Sequence, residues 1–411
     1  MMRISLTSIV VATLATGLGG LARGADGPAN VEGARSVPLE QHSARTDLPP
    51  VLSKENWQQA VDVLPAEFVD KLKSGVLEIR TRATTDLPLT PAYVEATRRN
   101  AGKARLREDG SLEGYVNGRP FPEIDAADPQ AGLKLAWNYR YHDSFNSGQG
   151  WGAYRFVEGG QVIRTIEFYY AQAYGMHRND PSDNIWEKEG ILYRELFQCL
   201  EPNDVKNVMS LKFRYDDDRT SDLDFAWVRE TRKVRQTHVD MQERSLSSEL
   251  LYEDFYGFSG YLHEHDWRFL GRAKVLAPVG VQAAAASFDP RTGYSIDPWE
   301  LRDMLRLEST PKDSGHPYAK RVLYIDEQMG VPLYVLAYDH QGKHYKTIFT
   351  LYGNPAFNPG NEHVRAPLWL AYNAINHETG RANFSQMHRI VVDDRVPERL
   401  FTIGNLPVLA R

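Results

Sequence analysis

The sequence predicts an α+β fold: a large, curved antiparallel β-sheet, closed only as far as an incomplete barrel, with a few covering helices. Three observations carry this. The helix starts read from the sequence, at Pro65, Thr90-Pro91 and Asp128-Pro129, lie before Trp151. From Trp151 onward the chain is mostly period-2 alternation broken by glycine turns. Several of the later runs are apolar on both faces: Leu333, Val335 and Ala337 point one way, Tyr334, Leu336 and Tyr338 the other. An antiparallel sheet with two apolar faces must be covered twice. So few helices cover only part of it, so the sheet is expected to curve over itself. Runs of about eight to ten residues, longer than the usual five or six, suit a half-closed barrel.

Taken in order, residues 1–24 read as a secretory signal. Arg3 supplies the positive region, Ile4–Leu14 the apolar core, and Ala22-Arg23-Gly24 small residues where a signal peptidase reads. Gly17, Gly19 and Gly20 weaken a segment already short for a membrane span. The expected destination is the periplasm. Residues 25–60, rich in Pro, Gly, Ser and Ala, read as an irregular N-terminal arm, and 61–411 as a single domain. Pro65 opens a helix over AEFVDKLKSG that stops at a glycine. Thr90-Pro91 and Asp128-Pro129 cap helices over AYVEATRRNAGKARL and QAGLKLAWNYRY. Ala153–Val157 and Gln161–Ala171 form a hairpin about Glu158-Gly159-Gly160. Met209, Leu211, Phe213 and Tyr215 alternate cleanly with Ser210, Lys212, Arg214 and Asp216. Arg321–Asp326, Val331–Asp339 and Tyr345–Tyr352 are strands joined by turns at Gln328–Gly330 and Asp339–Lys343.

Composition narrows the function. The 411 residues carry 42% hydrophobic and 25% charged side chains, a globular balance. Without residues 1–24 the chain has 46 basic and 54 acidic residues, a net of −8. That argues against nucleic acid or an anionic membrane surface as partner. No later stretch is apolar for long enough to span a membrane. Cys199 is alone, so no internal disulfide forms.

The stretch from Leu223 to Leu276 is the most informative. Leu223, Phe225 and Trp227 share one face of a strand; Trp267, Phe269, Gly271, Ala273 and Val275 share one face of another. Between them, Tyr252, Phe255, Tyr256 and Phe258 crowd beside Glu253, Asp254, Gly257 and Gly260. A turn needs a few polar residues, not four aromatics that must each be buried. Tyr252-Glu-Asp-Phe255 followed by Tyr256-Gly-Phe-Ser-Gly260, with Trp227–Arg235 upstream, resembles an uncharacterised Gram-negative periplasmic family. That family is related to the outer-membrane lipoprotein-sorting proteins of the LolA/LolB lipid-carrier type. The likeness runs from about Pro120 to about Gly380. It implies a LolA/LolB-like incomplete barrel, a lipid or other hydrophobic ligand, and an inner-membrane transporter as partner. On this resemblance and the apolar strand faces, Phe225, Trp227, Leu251, Tyr252, Phe255, Tyr256, Phe258, Trp267 and Phe269 are the expected cavity or lid residues.

Other chemistry is weaker. His263-Glu264-His265 on a strand would put both imidazoles on one face, as a zinc site can use, with a third ligand from His238, His340 or His344. The plainer reading is a polar strand entrance. Ser259 lacks the glycine spacing of a hydrolase elbow. Glu253 and Asp254 are adjacent, so on extended backbone they diverge; they are expected to cap loop amides or face water rather than act as an acid–base pair. Arg229, Arg232, Lys233 and Arg235 read as a solvated strand face rather than a head-group site. No phosphate loop or dinucleotide fingerprint occurs. Neither a catalytic residue, a metal nor a cofactor is therefore expected. The function read from the sequence is a periplasmic carrier of a hydrophobic ligand. The alternatives are a metal-assisted hydrolase using His263 and His265, and a ligand-free scaffold of an envelope complex.

Overall fold

The structure, a computed structural model, describes residues 48–280, 287–353, 361, 367–392 and 396–411. The signal segment at 1–24 lies outside them, as does most of the N-terminal arm. Among the described residues fifteen strands join one sheet, and β3 (Arg105–Leu106) with β4 (Leu112–Glu113) forms a separate short ribbon.

The sheet begins in its middle. β5 (Ser147–Glu158) and β6 (Gln161–Tyr174) form the expected hairpin, with Gly159 and Gly160 both at positive φ, as a two-residue turn demands. The chain then adds β7 (Ile191–Glu201), β8 (Met209–Tyr215), β9 (Leu223–Val228) and β10 (Lys233–Thr237), each antiparallel to the last. Next it crosses to the far edge, β11 (His265–Pro278). From there it returns through β12 (Trp299–Pro311), β13 (Lys320–Asp326), β14 (Pro332–Tyr338), β15 (His344–Gly353), β16 (Leu368–Asn376) and β17 (Ala382–Val392), which pairs with β5. β10 and β11 do not pair, so the large curved sheet stays an open, incomplete barrel. β1 (Val51–Leu52) pairs with β2 (Ile79–Arg82), which runs parallel to the start of β12. The described end of the N-terminal arm is thus tied to the sheet, and Leu52 is fully buried.

The helices are α1 (Ala66–Lys73), α2 (Pro91–Asn100), α3 (Ala131–Arg140) and the short α4 (Leu406–Leu409). The Thr90 hydroxyl accepts the Tyr93 amide at 3.2 Å, as its place before Pro91 implies. α1 drives Phe68 into a nest of rings, Tyr294, Trp299, Tyr334 and Phe349, with centroids 5.0–5.9 Å away. This is the outer face of β14 and β15. On the outer face of β7–β9, Phe401 and Leu406 cover Leu196, Leu211 and Trp227.

Two sequence expectations are corrected here. The row Trp267, Phe269, Gly271, Ala273, Val275 is not one face. A bulge at Leu270, made possible by Gly271 at φ +92°, slips the register. Trp267 and Phe269 oppose Ser309 and Leu307, whereas Gly271, Ala273 and Val275 oppose Arg306, Met304 and Arg302. And His263 does not share a strand with His265: residues Leu262–Glu264 form a 3₁₀ turn and the strand begins at His265.

Candidate ligand cavity

The segment 238–264 has to connect the two unpaired edges of the sheet, so it crosses the inner face where a closed barrel would have its seam. Its Tyr252–Gly257 turn packs on β14 and β15. Gly257 sits at φ +92°, and a Cβ there would come within 2.6 Å of Pro332.

Charge fixes this segment. Glu253 and Asp254, each about 1% exposed, converge on Arg321 of β13 at 2.9 and 3.1 Å. They neither diverge nor face water, as the sequence suggested, although Asp254 does cap the Leu251 amide at 2.9 Å. Glu253 also meets His316 at 2.6 Å and His265 at 3.4 Å. Burial alone would raise its carboxyl. Arg321 and the two histidines outweigh that and hold it well below the ordinary range. Asp254 is raised, with burial the leading cause. The Tyr318 hydroxyl donates to it at 2.6 Å. Lys346 of β15 donates to the Glu249 carbonyl at 2.5 Å, and Asn376 to the Glu249 carboxylate at 2.7 Å.

Between the crossing segment and strands β5–β9 lies a cavity of about 170 Å³. Tyr252, Phe255 and Tyr256 form its lid side. Phe168, Tyr170, Tyr193 and Phe197 of β6 and β7 form its floor, and Trp369 and Tyr372 of β16 close one end. The rings pack edge to face: Phe255 on Tyr372 at 5.6 Å, Tyr256 on Trp369 at 5.5 Å. A second cavity of about 110 Å³, lined by Phe258, Tyr139 and Tyr352, shares Tyr193, Arg214, Tyr256, Ser259 and Trp369 with the first. Tyr256 is one of the five residues that wall both. Its backbone is left-handed, φ +59°, a conformation a tyrosine adopts only when its surroundings impose it. The Tyr139 hydroxyl imposes it in part, donating to the Tyr256 carbonyl at 2.7 Å.

The cavity is not wholly apolar. Lys212 reaches Asp222 at 2.9 Å and Asp224 at 3.3 Å. Arg214 lies 2.8 Å from Asp222, off hydrogen-bond alignment, and donates to the Ser259 carbonyl of the crossing segment at 2.7 Å. The polar face of β8 is thus the inner wall. Glu195 accepts from the Tyr170 hydroxyl at 2.9 Å, and the Tyr170 and Tyr256 hydroxyls stand 2.6 Å apart.

The nine sequence-derived residues divide. Tyr252, Phe255 and Tyr256 line the main cavity and Phe258 the second. Leu251 is buried against Tyr318 and Ala337. Trp267 lines a separate outer cleft of about 640 Å³, its indole nitrogen donating to the Leu262 carbonyl at 2.9 Å. Phe269 packs at the margin of the main core. Phe225 and Trp227 are on the outer face with Phe213 and Phe401. His263 pairs with Asp218 at 3.1 Å while His265 turns to Glu253 and Ser309. Among the described residues no group of three or more His, Cys, Asp or Glu side chains is arranged to hold a metal ion. Ser259 donates to the Tyr252 carbonyl at 2.9 Å.

Residues 51–402 match the family described as Protein of unknown function (DUF1329). The chain belongs to the DUF1329 family. A solved DUF1329 family protein from Desulfovibrio piger, 17% identical, shares the fold over 68% of this chain and 100% of its own, with a TM-score of 0.50. A Vibrio parahaemolyticus domain named for outer membrane lipoprotein sorting is also 17% identical, over 68% of this chain and 100% of that one, at 0.48. A LolA superfamily protein from Nitrosomonas europaea is 12% identical over 64% of this chain and 93% of its own, at 0.39. No curated protein matches. The resemblance carried by the Tyr252–Gly260 motif is met at the level of the DUF1329 family and its fold. No helix among the described residues is long and apolar enough to cross a membrane.

Proposed function

We propose that this DUF1329 protein binds a lipid or other hydrophobic ligand in the inner-face cavity and carries it through the periplasm, exchanging it with an inner-membrane transporter. The observation that supports this is the aromatic cavity beneath the crossing segment. Rings that could have packed on one another leave about 170 Å³ between them. A dry apolar cavity of about 150 Å³ accepts a benzene ring, so this one takes a ring or the first part of a chain. A longer chain needs Tyr256 to move and join the second cavity. Exposing a hydrocarbon chain to water costs about 0.8 kcal/mol per CH₂, which is what a carrier cavity offsets. The secretory signal read at 1–24 and the single unit read over 61–411 belong to the same proposal.

The test is native mass spectrometry of the chain purified from its own envelope, followed by organic extraction. A bound hydrophobic molecule at about one per chain is expected. A ligand-free chain that takes up no hydrophobic fluorophore would make it a scaffold instead.

A further inference from the structure

The carboxyl of Glu195 stands in the wall of the inner-face cavity without a direct ion-pair partner among the described residues. Strand register sets Lys212 of β8 directly opposite it. Lys212 makes its ion pairs with Asp222 and Asp224. Arg214, the next basic group, is engaged by Asp222 and by the Ser259 and Gly260 carbonyls. Glu195 keeps the Tyr170 hydroxyl at 2.9 Å, and no basic side chain among the described residues comes within ion-pair distance of it. Lys212 and Arg214 are balanced by Asp222 and Asp224, so an ionised Glu195 leaves one negative charge over. Glu195 keeps some accessible surface and lines the cavity. The same cavity is lined by Phe168, Tyr170, Tyr193, Phe197, Tyr256 and Trp369. Aromatic faces are negative and attract a desolvated cation, quaternary ammonium above all.

We propose that the cavity selects hydrophobic organic cations, amphiphiles whose tertiary or quaternary ammonium head lodges among these rings against Glu195. This rests on the reading that the cavity takes an apolar ligand and adds the class of head group. The alkyl part follows the rings past Tyr256. An anionic head is disfavoured because the two cations in the wall already have carboxylate partners.

The test is calorimetric titration of the purified chain with three amphiphiles that share a dodecyl chain, below their micelle concentrations: dodecyltrimethylammonium, dodecyl maltoside and dodecyl sulfate. The cation is expected to bind at least about tenfold tighter than the uncharged maltoside, and the sulfate weakest. The preference should persist at high salt, which screens the chain's net negative surface but not a buried pair. E195Q should bring the cation's affinity down to that of the maltoside. Equal binding of all three, or a preference for the sulfate, overturns the inference and leaves the cavity reading standing. A cation preference that E195Q does not reduce overturns the role of Glu195. Binding of none of the three overturns both the inference and the carrier reading. The comparison on the unaltered chain decides the head-group question even where E195Q does not fold.

Discussion

Glu253 and Arg321 form an ion pair at 2.9 Å in which both side chains are about 1% exposed or less. One partner belongs to the segment that crosses the open mouth of the barrel, the other to β13. With Asp254 on the same guanidinium, this is the joint that holds the crossing segment on the inner face. A buried pair of this kind is expensive to break rather than strongly stabilising to have, because removing one partner leaves a charge without water or counter-ion.

Arg321→Leu leaves Glu253 and Asp254 buried with no guanidinium. The expected loss is about 3–5 kcal/mol of unfolding free energy, read from urea denaturation. The triple change E253Q/D254N/R321L should recover part of it, since no uncompensated charge remains. A loss under about 1 kcal/mol for R321L, within the range of an exposed pair, would show that the joint is not closed to water.

Acid should destabilise the protein before ordinary carboxylates titrate. His344 and His377 face each other with ring centroids 4.3 Å apart, and Thr347 contacts both. Burial, first, pushes His344 down to about 4; burial, then the neighbouring His344, pushes His377 down to about 3. The native state keeps both neutral, while the unfolded chain takes up protons near pH 6.5. Their contribution is full above about pH 6.5 and is lost as pH falls toward those native values. The melting temperature should decline from about pH 6.5 downward, and H344N/H377N should flatten that part of the curve. A plateau that holds down to about pH 5 in the unaltered chain would contradict it.

Much of the frame was legible. The glycine pair after Glu158 fixed the first hairpin, and the doubly apolar β14 required cover on both faces, which α1 and the crossing segment supply. What periodicity cannot give is the side that each face meets. Phe225 and Trp227 share a face, as read, but the distant residues Phe401 and Leu406 cover it, and the polar face with Lys212 turns inward. β7 went unread because Arg194, Glu195 and Gln198 interrupt both phases of Ile191–Glu201. Asp254 finds Arg321 sixty-seven positions along the chain, so its burial leaves no local trace. The bulge at Leu270 had one sign, Gly271 within an alternating run.

The two faces of the sheet should separate stability from binding. Trp227→Ala removes a buried indole from the outer cluster, at a cost of about 3–5 kcal/mol, and should leave uptake of a hydrophobic fluorophore by the folded chain within about twofold. Trp369→Ala opens the end of the cavity where Tyr256 and Tyr372 pack, and should change that uptake at least several-fold. If Trp227→Ala altered binding as strongly as Trp369→Ala, the inner face would not be the ligand's face.

Binding of an organic cation should release a proton. Burial, above all, raises the Glu195 carboxyl; Lys212, the Tyr170 hydroxyl and Arg214 oppose this, and Asp222 adds to it. The other ionisable groups lining its cavity are Tyr154, Tyr193, Tyr252, Tyr256, Tyr372 and Asp224, whose own carboxyl is raised, first by burial. The six tyrosines that line the cavity are all raised, chiefly by burial, and stay neutral through the acid range. In the empty cavity Glu195 therefore holds its proton at pH values where ordinary carboxylates, with pKa about 4.3, have lost theirs. An ammonium head favours the ionised form, so affinity for dodecyltrimethylammonium should rise with pH up to the raised value of Glu195 and then level off. Affinity for dodecyl maltoside should not follow that rise. Titrations in buffers of different ionisation enthalpy should count up to one proton released per cation at the acid end and none above the plateau. A pH-independent cation affinity, with no proton released, would place the charge recognition elsewhere than at Glu195.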